Sequence, residues 1–198
     1  MDKMPSKKHL IMVFYGVSGS GKSLLLKMMK DIFPNVTLHR KDSTRPRRQG
    51  EPAHGTPELR LVKKLGPASD YLLTYQAYGA WFGVRKDQLN KSFDKSEIHL
   101  IIIANIKAIK EFKAFYPHAI TVYVHSDPQN IPERLIKRDT LEYEKRKKRS
   151  VALYKGFLNN NTLFDFIVLN FWDKRNAAQQ AENIIKKYLE NTGRLIHA

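Results

Sequence analysis

Residues 16–23 read Gly16-Val17-Ser18-Gly19-Ser20-Gly21-Lys22-Ser23 and satisfy G-x-x-x-x-G-K-[ST] at each fixed position. Glycines reach positive φ and allow close approach. Consecutive backbone N–H groups can therefore turn toward phosphate oxygens at the positive end of a following helix. Lys22 adds a point charge for the β- and γ-phosphates, and the Ser23 hydroxyl suits Mg²⁺. The pattern predicts an ATP-type site made by Gly16, Ser18, Gly19, Ser20, Gly21, Lys22 and Ser23, with Mg²⁺ as cofactor held at Ser23 and Lys22 exposed in the empty loop. Such a motif locates a nucleotide. It leaves open whether the γ-phosphoryl passes to water, to a protein or to a small molecule.

Chemistry of this kind needs rigid elements to hold it. Residues 10–15 form an unbroken apolar run ending in Gly16, the pattern of a parallel strand covered on both faces. From 22 to 33 the residues Leu24, Leu25, Met28, Met29 and Ile32 recur at helical spacing, and Pro34-Asn35 closes the segment. The glycine-rich loop thus lies between strand and helix, the context its role requires. Residues 36–39 are a candidate second strand, whereas 40–67 is charged, proline-rich and poor in core residues, and reads as a substrate flap. Further strands are expected at 98–103, 120–124 and 164–169. Helices are expected at 107–115, with Ile109, Phe112 and Phe115 inward, at 128–138, and at 177–189 with Gly193 just beyond. The alternation implies an α/β fold with a mainly parallel sheet and helices on both faces.

Composition narrows the partners. The 198 residues suffice for one α/β domain, and 35 Lys+Arg against 19 Asp+Glu give a formal charge of +16, so acidic partners are expected. Nucleotide phosphates, nucleic acid and an anionic membrane surface all qualify, and the glycine-rich loop chooses the first. A nucleic-acid contact through the basic surface is compatible but not favoured. The absence of cysteine excludes disulfides, thiolate nucleophiles and zinc-thiolate sites, in keeping with a cytoplasmic protein. The apolar run at 9–15 is too short to span a bilayer and precedes no small-residue cleavage site, so neither a membrane span nor a signal peptide is expected.

Four further stretches carry a family resemblance. Ser43-Thr44-Arg45-Pro46-Arg47-Arg48-Gln49-Gly50-Glu51 resembles the T-R-x-P-R-x-G-E signature of guanylate kinases, P-loop enzymes of the nucleoside monophosphate kinase superfamily. Tyr78-Gly79-Ala80-Trp81-Phe82-Gly83 is similar to their G-N-Y-Y-G turn, though an aromatic core position suits Trp81 equally. Residues 133–138, Glu-Arg-Leu-Ile-Lys-Arg, resemble the E-R-L-x-x-R segment entering the family's mobile lid. Residues 164–170, Phe-Asp-Phe-Ile-Val-Leu-Asn, resemble its F-D-Y-V-V-x-N strand, which speaks for the fold and says little about catalysis. The resemblance implies a P-loop kinase fold with a five-stranded sheet, a core at 8–39 and 97–198, a substrate-binding flap at about 40–90 and a lid at about 138–150. It also implies that Arg45 and Arg48 bind the acceptor phosphate, and that Arg138 and Arg149 join Lys22 in neutralising the phosphoryl group in flight. The remaining lysines and arginines of 145–149 then serve only as field.

The family's guanine readers do not carry over. Its signature serine falls on Lys41, its guanine-pairing glutamate on Leu73, and the serine after the turn on Val84; the second turn tyrosine is Phe82. The phosphate-binding tyrosine falls near Pro57, and the acids that close the central strand fall on Ile102 and Ala104. Acceptor contacts are thus assigned to Arg45, Arg48, Phe82, Leu73 and Val84. Apolar side chains cannot pair with a purine's donors, so guanine selectivity should be lost. The reading is an ATP-dependent phosphotransferase acting on a phosphate-bearing small molecule, foremost a nucleoside monophosphate, as monomer or homodimer. A sugar-phosphate kinase is the first alternative, because residues 73–79 resemble the L-x-W-x-A-H-G stretch of ribose 1,5-bisphosphate phosphokinases. A non-catalytic phosphopeptide-binding module is the second, although such modules typically lose the P-loop lysine pattern kept here.

Overall fold

A computed structural model describes residues 9–48, 50–127, 131–132, 143–171 and 173–192. The apolar run forms β1 (Leu10–Tyr15), and every one of its side chains is buried. Alternation splits the run between two cores. Leu10, Met12 and Phe14 pack on one face of the sheet, and Ile11, Val13 and Tyr15 on the other. Around β1 stand β2 (Val36–Leu38), β8 (Ile98–Ile102), β9 (Ile120–His125) and β10 (Phe166–Leu169), in the order β10-β9-β1-β8-β2 with every pairing parallel.

One face is covered by α1 (Lys22–Ile32) and α5 (Lys174–Asn191) through Leu25, Leu26, Met29, Ala181 and Ile185. The other is covered by α2 (Lys86–Phe93), α3 (Ile106–Phe115) and α4 (Tyr143–Leu158) through Leu89, Ile109, Phe112 and Leu153. Leu24, Ile32 and Phe115 were expected inside but are exposed at 43, 41 and 46%. Each lies at the edge of an apolar stripe wider than the strip of helix the sheet covers. α5 begins at Lys174 rather than 177, because Asp173 caps it by accepting from the Arg175 N–H at 2.8 Å. β10 starts at 166 rather than 164, because the Asp165 carboxylate is used sideways, accepting from the Thr121 N–H and hydroxyl at 2.7 Å each. All but residues 131–132 of the helix expected at 128–138 lies outside the described residues, as does Gly193. No described helix is long and apolar enough to cross a membrane.

The charged stretch after residue 40 is not the coreless flap that its composition suggests. It contributes β3 (Lys41–Ser43), β4 (Gly55–Thr56) and β5 (Leu59–Leu61) to a second sheet with β6 (Tyr71–Ala77) and β7 (Ala80–Arg85), ordered β4-β5-β3-β7-β6. Lys41, Asp42 and Ser43 are all buried. The burial of Asp42 is compensated by a bidentate pair with Arg60 at 2.6 and 2.7 Å and by the Tyr71 hydroxyl at 2.8 Å. Composition alone misses this, since it counts charges without their partners. β6 and β7 form a hairpin closed by Tyr78-Gly79, with φ of 59° and 73°, the twist a two-residue turn needs. Trp81 is 46% exposed on the outer face of β7, which overturns a core role for it.

Candidate active site

The loop between β1 and α1 takes its shape from glycine. Gly16, Gly19 and Gly21 have φ of 152°, 85° and 88°, and Gly21 caps α1 in the left-handed region. A Cβ on Gly21 would run into the Asn170 side chain, whose Nδ2 donates to the Ser20 carbonyl at 2.8 Å. Asn170, at the end of β10, therefore holds the loop in place, a role the sequence reading did not give it. Lys22 is half-buried rather than exposed. Its ammonium folds back over the loop and donates to the carbonyls of Gly16 and Val17 at 2.8 and 2.7 Å and to Ser20 Oγ at 3.2 Å. The reason is electrostatic: the loop's own oxygens are the acceptors nearest to the ammonium.

A cleft of about 410 Å³ opens in front of this loop. Ser18, Gly19, Gly21, Lys22 and Ser23 line one side, and Arg45, Arg48, Tyr78 and Phe82 line the other. The two arginines are thereby brought into one cavity with the glycine-rich loop. Arg45 is held by Glu51, which accepts from Nη1 at 2.8 Å and from Nη2, and which also accepts from the Arg48 backbone N–H at 3.1 Å. Burial pushes the Glu51 carboxyl up, but the hydrogen bonds from Arg45 and Arg48 outweigh it and leave the pKa below the usual range. Its anionic form fixes the Arg45 fork toward the cleft.

Tyr78 is a further lining residue that the family signature does not name. Its ring lies 5.7 Å from the Arg149 guanidinium, so an arginine of α4 packs against a residue that lines the cleft. Burial raises the Tyr78 hydroxyl pKa while Arg48 and Arg149 pull it down, which places the phenol between clamp and α4. Its positive φ is strain concentrated at the site. Arg138 and the segment 133–138 lie outside the described residues.

Leu73 and Val84 face each other across the β6–β7 hairpin, buried at 6 and 2% exposure, and belong to the core rather than to the cleft lining. Neither lines this cleft, unlike Arg45, Arg48 and Phe82, the other residues assigned as acceptor contacts. Position along the hairpin separates them: two pairs further along, Tyr75 opposite Phe82 is the pair that borders the cavity. Lys41, Thr56, Glu58, Leu59, Ile102 and Ala104 also line the cleft. Of these the sequence flagged Lys41, Ile102 and Ala104 only as departures from a pattern.

The Ser23 hydroxyl lies in the cleft beside Lys22, and no group of three or more His, Asp or Glu among the described residues could hold a metal by itself. A hydroxyl without clustered carboxylates suits Mg²⁺ that arrives on nucleotide phosphates and keeps most of its waters.

No family model matches the chain. It is 26% identical over 167 residues to the guanylate kinase of Helicobacter pylori (strain ATCC 700392 / 26695), covering 81% of this chain and 79% of that protein. Against the guanylate kinase of Helicobacter hepaticus it is 25% identical over 191 residues, 92% of each. Among solved structures, guanylate kinase from Anaplasma phagocytophilum matches with a TM-score of 0.65 and 16% identity over 98% of this chain and 94% of that one, a likeness of fold. With a parallel sheet, a glycine-rich loop at the end of β1 and sequence likeness along most of its length, the chain is a divergent relative of the guanylate kinase family and has the P-loop kinase fold.

Proposed function

We propose that the protein is an ATP-dependent phosphotransferase that moves the γ-phosphoryl of ATP to a phosphate-bearing acceptor, a nucleoside monophosphate or a chemically similar phosphate monoester, without guanine selectivity. The observation that carries this reading is the single cleft shared by the glycine-rich loop and the Arg45–Arg48 pair. Two anion-binding sets facing one cavity suit a reaction that joins two phosphates, and a module that only docks a phosphopeptide needs one.

In this mechanism the loop N–H groups and Lys22 hold the donor phosphates, Lys22 exchanging its carbonyl contacts for phosphate oxygens. Mg²⁺ carried by the nucleotide at Ser23 supplies further charge neutralisation. Arg45, oriented by Glu51, and Arg48 hold the acceptor phosphate in line, while Arg149, and Arg138 from outside the described residues, offset charge on the group in transfer. An acceptor phosphate oxygen is already ionised, so no general base is required. The segment holding Arg138 together with α4 serves as the lid, and the second sheet as the acceptor-binding flap.

The test is ADP release from ATP and Mg²⁺ with a panel of phosphate monoesters. The expected result is turnover of at least one acceptor, with GMP far below it in kcat/KM, and loss of turnover in Lys22→Ala by about 10²-fold or more. Wild-type turnover by Lys22→Ala, or efficient guanine-selective phosphorylation of GMP, would overturn the reading.

A further inference from the structure

Lys41 is the most unusual side chain in the cleft. It is 4% exposed, its ammonium donates to the Ile102 carbonyl, and it lies 5.8 Å from the centroid of the Phe82 ring. An ammonium has three N–H donors, and one hydrogen bond among the described residues leaves two of them without a partner beside the cavity that Lys41 lines. A buried charge satisfied so incompletely is costly unless a ligand completes it.

Two hydroxyls beside it are in the same condition. Tyr75 is 5% exposed and its phenol, with the Ala104 backbone beside it, makes no hydrogen bond of ordinary geometry; Thr56 Oγ1 is likewise buried without a partner. Both residues line the same cleft as Lys41. Buried polar atoms are nearly always paired, so three under-used donors converging on one cavity mark the place where a ligand's acceptors belong. Tyr75 and Phe82 stack at 5.4 Å and 12° and give the pocket an aromatic wall, and Glu58 contributes one carboxylate at its rim.

We propose that Lys41, Thr56 and Tyr75 form the reading end of the acceptor site and select a phosphate monoester whose far end presents oxygen over one that presents an amino group. That oxygen is the keto group of a nucleobase or a hydroxyl or phosphate oxygen of a sugar phosphate. The proposal rests on the phosphotransferase reading only in placing the acceptor phosphate at Arg45 and Arg48. An amino edge, as in adenine or cytosine, would set N–H against the N–H of Lys41 and leave both unpaired in a buried site, whereas an oxygen accepts from all three side chains. Burial pushes the Lys41 pKa down to about 8, with Glu58 opposing and Arg45 adding to the shift, so the side chain remains largely cationic at neutral pH.

The experiment is calorimetric titration of the full chain, with a non-hydrolysable ATP analogue present, using UMP, IMP, ribose 1,5-bisphosphate, CMP and AMP, alongside ADP release with ATP. At least one of the first three should bind more tightly than CMP and AMP by about 10- to 100-fold, the discrimination expected of a charge-assisted hydrogen bond. UMP or IMP against ribose 1,5-bisphosphate identifies the source of the oxygen. Lys41→Met should remove the preference while leaving affinity for the ATP analogue unchanged, and Tyr75→Phe should lower acceptor affinity by about 5- to 10-fold. Lys41→Ala serves if the Met variant fails to fold. Equal binding of CMP or AMP, a preference that survives in the Lys41 variants, or binding of none of the five overturns the proposal. Lys41-dependent binding without ADP release would uphold it and instead sink the phosphotransferase reading.

Discussion

At the scale of single residues, the cleft is a set of charges held in place before any ligand arrives. Glu51 illustrates the cost of that arrangement, since its carboxylate spends its acceptors on Arg45 and on the Arg48 backbone. Glu51→Gln should raise the acceptor KM by about 10-fold or more, because a neutral amide no longer orients the Arg45 fork, while the KM for ATP stays within about twofold. Steady-state kinetics with each substrate varied in turn will separate the two. Lys41 provides a second residue-scale prediction. A lysine whose folded pKa is about 8, against an ordinary value of 10.5, binds fewer protons folded than unfolded between those values. The penalty of burying its charge is therefore fully present below pH 8 and is relieved as pH rises toward 10.5. Lys41→Met should stabilise the ligand-free protein at pH 7 by about 1–3 kcal/mol in denaturant unfolding, and the gain should shrink by pH 10. Function and stability would then oppose each other at this position.

At the scale of elements, the second sheet depends on Asp42. The carboxylate is 1% exposed and ties β3 to Arg60 of β5 and Tyr71 of β6, while Tyr71 in turn accepts from the Gly66 N–H at 3.1 Å. Removing it strands a guanidinium and a phenol. Asp42→Ala should cost about 3–5 kcal/mol, the usual penalty for breaking a buried pair on one side. Because Lys41 and Ser43 flank it and Thr44 and Arg45 follow, the damage should extend to the acceptor side of the cleft. Hydrogen exchange should rise in residues 41–85 before it rises in β1 and β8, and a uniform change along the chain would show that the two sheets unfold as one unit.

At the scale of the whole molecule, the basic excess and a buried histidine chain make stability depend on solution conditions. His39 Nε2 lies 3.1 Å from His99 Nδ1, and His99 Nε2 lies 3.2 Å from His9 Nδ1, linking the end of β2, β8 and the residue before β1. Each contact needs one N–H and one lone pair, which neutral rings supply and two imidazolium rings do not. Burial lowers the pKa of both His39 and His99, the neighbouring imidazole adding to it in each case. The sign follows: unfolded histidines take up protons below about pH 6.5 and these two do not, so stability falls as pH drops from there toward their folded values. At pH 5 the loss should be about 1–2 kcal/mol for each ring relative to pH 7, read by chemical denaturation. His99→Phe should reduce the difference; an unchanged difference would place the acid sensitivity elsewhere.

How much of this was legible beforehand varies by feature, for physical reasons. The strand–loop–helix of residues 10–32 is written locally: a run buried on both faces needs six apolar residues in a row, and a phosphate-binding turn needs glycines where φ is positive. The arginine pair is also local, since its signature and the turn that presents it occupy consecutive residues. The meeting of the two in one cleft, the anchoring of Ser20 by Asn170 from 150 residues away, and the neutralisation of Asp42 by Arg60 are pairings between distant segments. No local pattern encodes them. The same holds for the proposed acceptor pocket, where matching to a family pattern pointed to Leu73 and Val84, while the pair that lines the cavity, Tyr75 and Phe82, lies two steps further along the same face of the hairpin. By itself the sequence determined a loop shaped and charged to suit a nucleotide's phosphates, because backbone geometry and charge within eight residues suffice for it. Only the tertiary structure decided which side chains share the cleft with that loop, because a pocket is defined by what surrounds it, and here five separate segments do.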